Sequence, residues 1–256
     1  MMLSKIKGEG MKDIEKLQKI IDGSKSIVFF GGAGVSTESG IPDFRSKNGL
    51  YNTEDVQFDG YSPEYLLSNL CLYNHPKVFY SFCRQKLDVR GIEPNPAHYK
   101  LAELEEAGKL KAVITQNIDG LHQKAGNKVV YELHGNIARN YCSYCGEPVE
   151  DWYIFDNSDP IPMCKECSKG MIRPDVVLYG EMLPRDAYNN ALDVLQNSDC
   201  LIVGGTSLVV SPAKDMVKRF RGEYLVVINN QQTYIDNSAV LVMRENIGDV
   251  LKEIKL

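Results

Sequence analysis

The feature that most constrains this chain is a series of short, almost uniformly apolar runs: SIVFF (26–30), KAVIT (111–115), VVYEL (129–133), DVVLY (175–179), DCLIVGG (199–205), YLVVIN (224–229) and AVLVM (239–243). A strand with one wet face alternates apolar and polar residues, whereas a strand covered on both faces does not. These runs therefore read as strands of a parallel sheet sandwiched between helices. The helices are punctuated as that architecture requires. Ile14, Leu17, Ile20 and Ile21 share one helical face before Gly23, and Asn95-Pro96 supplies an N-cap and first-turn proline for a helix that Gly108 ends.

Two stretches break this rhythm. Residues 48–90 hold no clear strand and read as a helical module, with Pro63 and Pro76 near helix starts; residues 136–172 are rich in Cys, Gly, Pro and polar side chains. We expect an α/β fold: a Rossmann-like lobe of residues 11–47, 91–135 and 173–256, with the two interruptions forming one smaller lobe. Composition excludes little. The 256 residues carry 29 Lys and Arg against 34 Asp and Glu, a formal charge of −5, which weighs against a dedicated nucleic-acid binder. No run approaches the roughly 18 apolar residues of a membrane helix, and the opening MMLSKIKGEGMK lacks a secretory apolar region. We expect a cytoplasmic protein without membrane or direct nucleic-acid partners.

Seven cysteines divide unevenly. Cys71, Cys83 and Cys200 stand alone in apolar surroundings, whereas Cys142-x2-Cys145 and Cys164-x2-Cys167 are separated by eighteen residues. That spacing suits a four-thiolate zinc shell, which leaves no position for water and is therefore structural. Reduced thiols or a disulfide pair are the plainer alternatives.

After the first strand comes GGAGVSTESGIPDFR (31–45), whose glycines would let backbone amides approach a pyrophosphate; a tight strand-to-helix turn would also need glycine. The sequence has no clear GxGxxG and no acidic residue ending a second strand, so hydride transfer is not indicated. Polar residues gather at further strand ends: Gln116-Asn117-Ile118-Asp119-Gly120-Leu121-His122, then His134-Gly135, then Gly204-Gly205-Thr206-Ser207, then Asn229. Each alone could be a structural residue. Together, at the carboxyl ends of parallel strands, they mark a ligand rim.

GAGVSTESGIPDFR, TQNIDGLHQKAG, ELHG, the paired CxxC, RPDVVLYGE and GTSLVVSPA occur in the order seen in sirtuins, and the resemblance runs from about Asp13 to the C-terminus. It implies an NAD-dependent protein lysine deacetylase of bacterial type. NAD would be a co-substrate lying between the Rossmann lobe and a small lobe made of the zinc ribbon and the helical module. By the same resemblance Ala33, Thr37, Phe44 and Arg45 would line the phosphates and nicotinamide ribose, Gln116 and Asn117 the ribose, and Ile118 and Asp119 the nicotinamide amide. Thr206, Ser207 and Asn229 would hold the adenosine side, and a backbone amide near Asp249 the adenine. His134 would be the general base, with Asn117 beside it in the catalytic set.

The residue types suit the chemistry that the resemblance implies. The acyl-lysine carbonyl oxygen displaces nicotinamide in an apolar pocket that excludes water. An imidazole then takes a proton from a ribose hydroxyl. Lysine, nicotinamide and O-acetyl-ADP-ribose would leave. The acetylated protein would enter as an added strand beside Val177 and Tyr179, with Val176 against the lysine stem. Tyr179 stands where Phe is commoner. Family members that remove succinyl or malonyl groups carry Tyr and Arg three residues apart; here Tyr80 is followed by Cys83, and Arg84 lies one position further round the helix, so acetyl-lysine is expected. Two rivals stay open: an ADP-ribosyltransferase using the same cofactor, and a non-enzymatic zinc-ribbon module.

Overall fold

The computed structural model describes residues 12–46, 49, 50, 58 and 60–256. Met11 and Lys47 of the expected Rossmann-like lobe, and residues 48, 51–57 and 59 of the expected helical module, lie outside the described residues.

Six strands form the main sheet: β1 (Ile27–Gly31), β2 (Leu110–Thr115), β3 (Val130–Glu132), β7 (Cys200–Gly204), β8 (Tyr224–Ile228) and β9 (Leu241–Met243). Their order is β3-β2-β1-β7-β8-β9 and every neighbouring pair is parallel. The absence of alternation in β1 has a direct cause. Ile27 and Phe29 enter one buried cluster with Leu17, Ile20 and Leu101, while Val28 and Phe30 enter another with Ala191, Leu195 and Met216. The first cluster draws on α1 (Asp13–Gly23) and α5 (Pro96–Glu106), the second on α8 (Arg185–Gln196) and α9 (Ala213–Val217). Asn95 caps α5 as expected: its side chain accepts from the Ala97 amide, and its own amide donates to Nδ1 of His98.

A second, antiparallel sheet has the order β5-β4-β6, with β4 at Gly135–Cys142, β5 at Pro148–Val149 and β6 at Ile172–Val176. Its core is shared with the helices α2 (Pro63–Leu66), α3 (Asn69–Asn74) and α4 (Pro76–Lys86): Phe79, Tyr80 and Phe82 pack with Ile137, Cys142, Ile154 and Ile172. The helical stretch and the cysteine-rich stretch thus bury one another.

Two readings need correction. DVVLY (175–179) is not a strand of the parallel sheet; Asp175 and Val176 end β6, and Val176 pairs with Gly135. Residues 173–176 consequently pair within the small sheet, not with the large lobe expected to begin at 173. A chain returning between two sheets is apolar on both sides whichever sheet it joins, so composition alone does not distinguish the two. No helix among the described residues is long and apolar enough to cross a membrane.

Candidate active site

One cleft, with a cavity of about 540 Å³, runs along the carboxyl ends of the main-sheet strands. Its walls take Ala33, Thr37, Phe44 and Arg45 from the segment after β1, Gln116, Asn117 and Ile118 after β2, and His134 after β3. Thr206 and Ser207 follow β7, Asn229 follows β8, and Val176, Val177 and Tyr179 close the small-sheet side. Asp119 faces an adjoining pocket of about 50 Å³ that shares Ala33, Phe44, Asn117 and Ile118 with the cleft. Asp249 lines neither cavity. Its carboxylate meets Lys252 and Asn246, while the neighbouring amides of Gly248 and Val250 donate to Glu38 and to the Asn246 carbonyl.

Backbone forms the part of the cleft where β1 and β7 lie side by side. The Gly34 amide donates to the Gly205 carbonyl at 2.8 Å, locking the loops after these strands together. Gly205 has φ +57°, and a Cβ there would stand 2.3 Å from the Val35 nitrogen, while a Cβ on Gly34 would stand 2.8 Å from the Gly205 Cα. Glycine is required at both positions by contact, and it leaves peptide groups where an anion can approach.

Polar side chains are fixed around this surface. Thr206 donates through Oγ1 to Oε1 of Gln116 at 3.2 Å, and the Thr206 amide donates to Oδ1 of Asn229 at 2.9 Å. Nε2 of Gln116 is buried without a partner, a donor awaiting an acceptor such as a sugar hydroxyl. Ser36 receives Nδ2 of Asn117 at 3.0 Å and donates to Asp119 at 2.7 Å, and Asp119 also accepts the Leu121 amide. Burial is the main reason the Asp119 carboxyl titrates above its ordinary value, despite these bonds.

His134 sits between the sheets, two residues beyond β3. Its Nδ1 lies 2.9 Å from the Gln116 carbonyl oxygen. A carbonyl can only accept, so Nδ1 carries the proton and Nε2 holds the basic lone pair. Burial lowers the imidazole pKa, only partly offset by that bond, and the ring is a neutral base near pH 7.

On the small-sheet side, the Tyr179 amide donates to the Leu67 carbonyl at 2.9 Å and its carbonyl accepts the Asn69 amide at 3.1 Å. Arg173, 5% exposed, reaches Glu181 with both Nη atoms at 2.5 and 2.9 Å and also binds the Val176 carbonyl; Glu181 in turn accepts the Leu178 amide. The amides of Val177, Leu178 and Tyr179 all donate within the chain, which narrows how an added strand could be held at this edge. Tyr80 and Cys83 are fully buried, with the Tyr80 hydroxyl donating to the Ile172 carbonyl, and Arg84 turns to the carbonyls of Ile154 and Asp159. None of the three lines the cleft.

Sequence alone indicates neither the Ser36 bonds nor the pairing of Glu181 with Arg173. Their partners lie far along the chain for Ser36 and depend on a turn for Glu181, and no spacing rule indicates either bond.

The four cysteine Sγ atoms of Cys142, Cys145, Cys164 and Cys167 lie within 4.8 Å of one another. Two of the edges measure 3.6 Å (Cys142 to Cys167) and 3.9 Å (Cys145 to Cys164). Zinc–sulfur bonds arranged tetrahedrally separate sulfurs by about 3.8 Å, so this donor set fits a closed zinc shell. The Tyr144 and Cys145 amides point at the Cys142 sulfur, at 3.4 and 3.5 Å, which favours its thiolate. A Cβ on Gly170 would stand 2.5 Å from that sulfur.

Residues 32–212 match the Sir2 family. The NAD-dependent protein deacetylase of Clostridium acetobutylicum is 52% identical over 241 residues, covering 94% of this chain and 97% of its own. That of Clostridium tetani is 50% identical, covering 93% and 95%. Among solved structures, a Sir2 variant with a deacetylated p53 peptide and an acetyl ADP-ribose superposes with TM-score 0.84 at 38% identity, covering 94% of this chain and 96% of that one. A complex of Sir2, p53 peptide and NAD+ gives 0.81 at 36% identity, covering 95% and 97%. The match spans the glycine loops, the histidine and the cysteine quartet alike, and the chain belongs to the Sir2 family.

Proposed function

We infer that this protein is an NAD-dependent protein lysine deacetylase, transferring the acetyl group of acetyl-lysine to ADP-ribose and releasing nicotinamide, O-acetyl-ADP-ribose and free lysine. The observation that carries the reading is His134, neutral and with Nδ1 fixed on the Gln116 carbonyl, on the wall of a cleft that Gly34 and Gly205 also line with backbone.

NAD, when bound, supplies the activated sugar carbon and the hydroxyl that accept the acyl group. The chain's residues do the rest. Backbone of the Gly34 and Gly205 loops would face the pyrophosphate, and Gln116 Nε2 would donate to a ribose hydroxyl. The Ser36, Asn117 and Asp119 network would orient the nicotinamide amide beside Ile118. Phe44, which lines both cavities, would shield the reacting carbon from water. Nε2 of His134 would remove a proton from the sugar hydroxyl and return it to solvent or product.

Val176, Val177 and Tyr179 on one side, and Asn229 to Gln231 on the other, line the cleft and would flank the path of an acetyl-lysine peptide. Arg45 is the only permanently cationic side chain among the described lining residues, and Tyr80 and Cys83 are sealed in the core. A carboxylate on the acyl group would find no dedicated cation at the Tyr80–Cys83 position, which supports acetyl over succinyl or malonyl. The four cysteines would hold one zinc ion that stabilises the small sheet and takes no part in acyl transfer. We place the protein in the cytoplasm, where reducing conditions keep such thiolates available.

The test is mass spectrometry of an acetyl-lysine peptide incubated with the enzyme, with and without NAD. Peptide deacetylation and O-acetyl-ADP-ribose formed only with NAD are expected. Adenine label retained on protein, with the peptide unchanged, would point instead to an ADP-ribosyltransferase.

A further inference from the structure

The segment that follows β9 reaches back to the loop that follows β8. Nη1 of Arg244 donates to the Asn229 carbonyl at 2.9 Å, and Nη2 of the same guanidinium donates to the Asp236 carboxylate. One planar fork thus holds both ends of the loop that runs from Asn229 to Asp236. Asp236 also accepts the hydroxyl and the amide of Thr233, at 2.6 and 3.0 Å, which fixes the far end of the loop. Arg244 lines neither cavity, whereas Asn229, Asn230 and Gln231 on the loop, and Glu245, Asn246 and Ile247 just after the arginine, all line the cleft.

Asn229 carries this grip into the cleft. Its amide donates to the Met243 carbonyl at 3.0 Å, its Oδ1 accepts the Thr206 amide at 2.9 Å, and its Nδ2 donates to the Gln231 carbonyl at 2.8 Å. Thr206 in turn donates through Oγ1 to Gln116, whose Nε2 is the buried donor without a partner. Arg244 is therefore the outer end of a chain of hydrogen bonds that crosses the ends of β9, β8, β7 and β2. A short side chain follows its own peptide group, so fixing the Asn229 carbonyl fixes the direction in which its amide leaves the chain.

We propose that Arg244 is a positioning residue for the adenosine half of the cofactor. By holding both ends of the loop it keeps Asn229, and through it Thr206, in the arrangement that the dinucleotide meets, and binding is spared the cost of ordering the loop. Arg244 does this without touching the cofactor. Charge alone is not enough, because a lysine ammonium is a single point and cannot bridge two acceptors as the planar fork does. The arginine side chain is 38% exposed, so its removal opens no cavity in the core. The proposal rests on the reading of this cleft as an NAD site.

Calorimetry with ADP-ribose and with AMP reads binding without turnover, and AMP carries the adenosine half alone. Arg244→Met keeps the apolar stem and removes the fork. It should bind both probes about tenfold more weakly than the unmodified enzyme, the effect of losing one hydrogen bond to a charged group. The KM for NAD should rise by the same factor, while kcat at saturating NAD and peptide stays within about twofold, since His134 stands at another strand end. Arg244→Lys should lie nearer to Arg244→Met than to the unmodified enzyme. Unchanged affinities in Arg244→Met, or full recovery in Arg244→Lys, overturn the proposal. So does a kcat that falls as far as the affinity, which is the mark of a general loosening. Should Arg244→Met not fold, Arg244→Lys decides alone, by whether its ADP-ribose affinity falls. An unmodified enzyme that does not bind ADP-ribose overturns the cofactor reading and the proposal with it. One that binds ADP-ribose but leaves the acetyl-lysine peptide intact overturns the deacetylase reading alone, and the binding ratios still decide the role of Arg244.

Discussion

Arg173 and Glu181 form a buried clamp: both Nη atoms of the arginine contact the carboxylate, and the two residues also bind the Val176 carbonyl and the Leu178 amide between them. Arg173 is almost sealed from solvent, whereas Glu181 is partly exposed. Removing the carboxylate leaves a buried guanidinium without its counter-charge. Glu181→Ala should cost about 3 kcal/mol, read as a melting temperature roughly 10 °C lower. Glu181→Gln keeps an acceptor for the Leu178 amide and should lose less. Peptide KM should rise more than kcat falls, since the clamp shapes the peptide side of the cleft.

For His134 the sign of the pH effect follows from burial. The ring stays neutral to lower pH than the ordinary imidazole value of 6.5, so the acid limb of the kcat/KM profile should lie below that value. His134→Ala should reduce deacetylation by about a thousandfold or more with an unchanged melting curve. Normal turnover in that variant would remove the base assignment.

The zinc shell makes a stoichiometric prediction. Plasma emission analysis should find one zinc per chain, lost in Cys142→Ser with a lower melting temperature. Gly170→Ala tests the same site without touching a ligand: its new methyl group would press on the Cys142 sulfur, and weaker zinc retention is expected.

A second pair of imidazoles gives the fold its own response to acid. His98 and His122 are fully buried with ring centroids 4.7 Å apart, and Nε2 of His98 and both nitrogens of His122 have no partner. Burial lowers His98 to about 4 and holds His122 well below its ordinary value. The unfolded chain protonates both from about pH 6.5 downward while the folded chain does not, so stability is intact above that pH and falls through the window down to about 4. Protonating Nδ1 of His98 would also remove the acceptor of the Asn95 amide that starts α5. Two such groups give a slope of up to about 2.7 kcal/mol per pH unit. Circular dichroism during acid titration should show His122→Leu unfolding at lower pH than the unmodified protein.

Local chemistry was legible in the sequence, and long-range pairing was not. Pro63, Pro76 and Asn95-Pro96 begin helices because first-turn prolines and caps act within a few residues. The cysteine quartet and the polar strand ends were also readable, because strand ends of a parallel sheet converge by topology. DVVLY misled because its burial comes from the small sheet and the clamp, partners chosen by tertiary packing. Ser36 and the His98–His122 pair were missed for a related reason: a hydroxyl linking Asn117 to Asp119, or two imidazoles brought together from α5 and the helix Leu121–Ala125, leaves no periodic trace.

The join between the sheets has a mechanical meaning. β3 ends at Glu132 and β4 begins at Gly135, so His134 occupies a crossing only two residues long. Gly135 has φ +77°, and a Cβ there would stand 2.0 Å from the Asp175 carbonyl, so the position after the base admits no side chain. A body turning about a hinge moves least at the hinge itself. If the small sheet swings against the large one as substrates enter, the far edge near the cysteines sweeps the longest arc, while the base at the fulcrum keeps its aim.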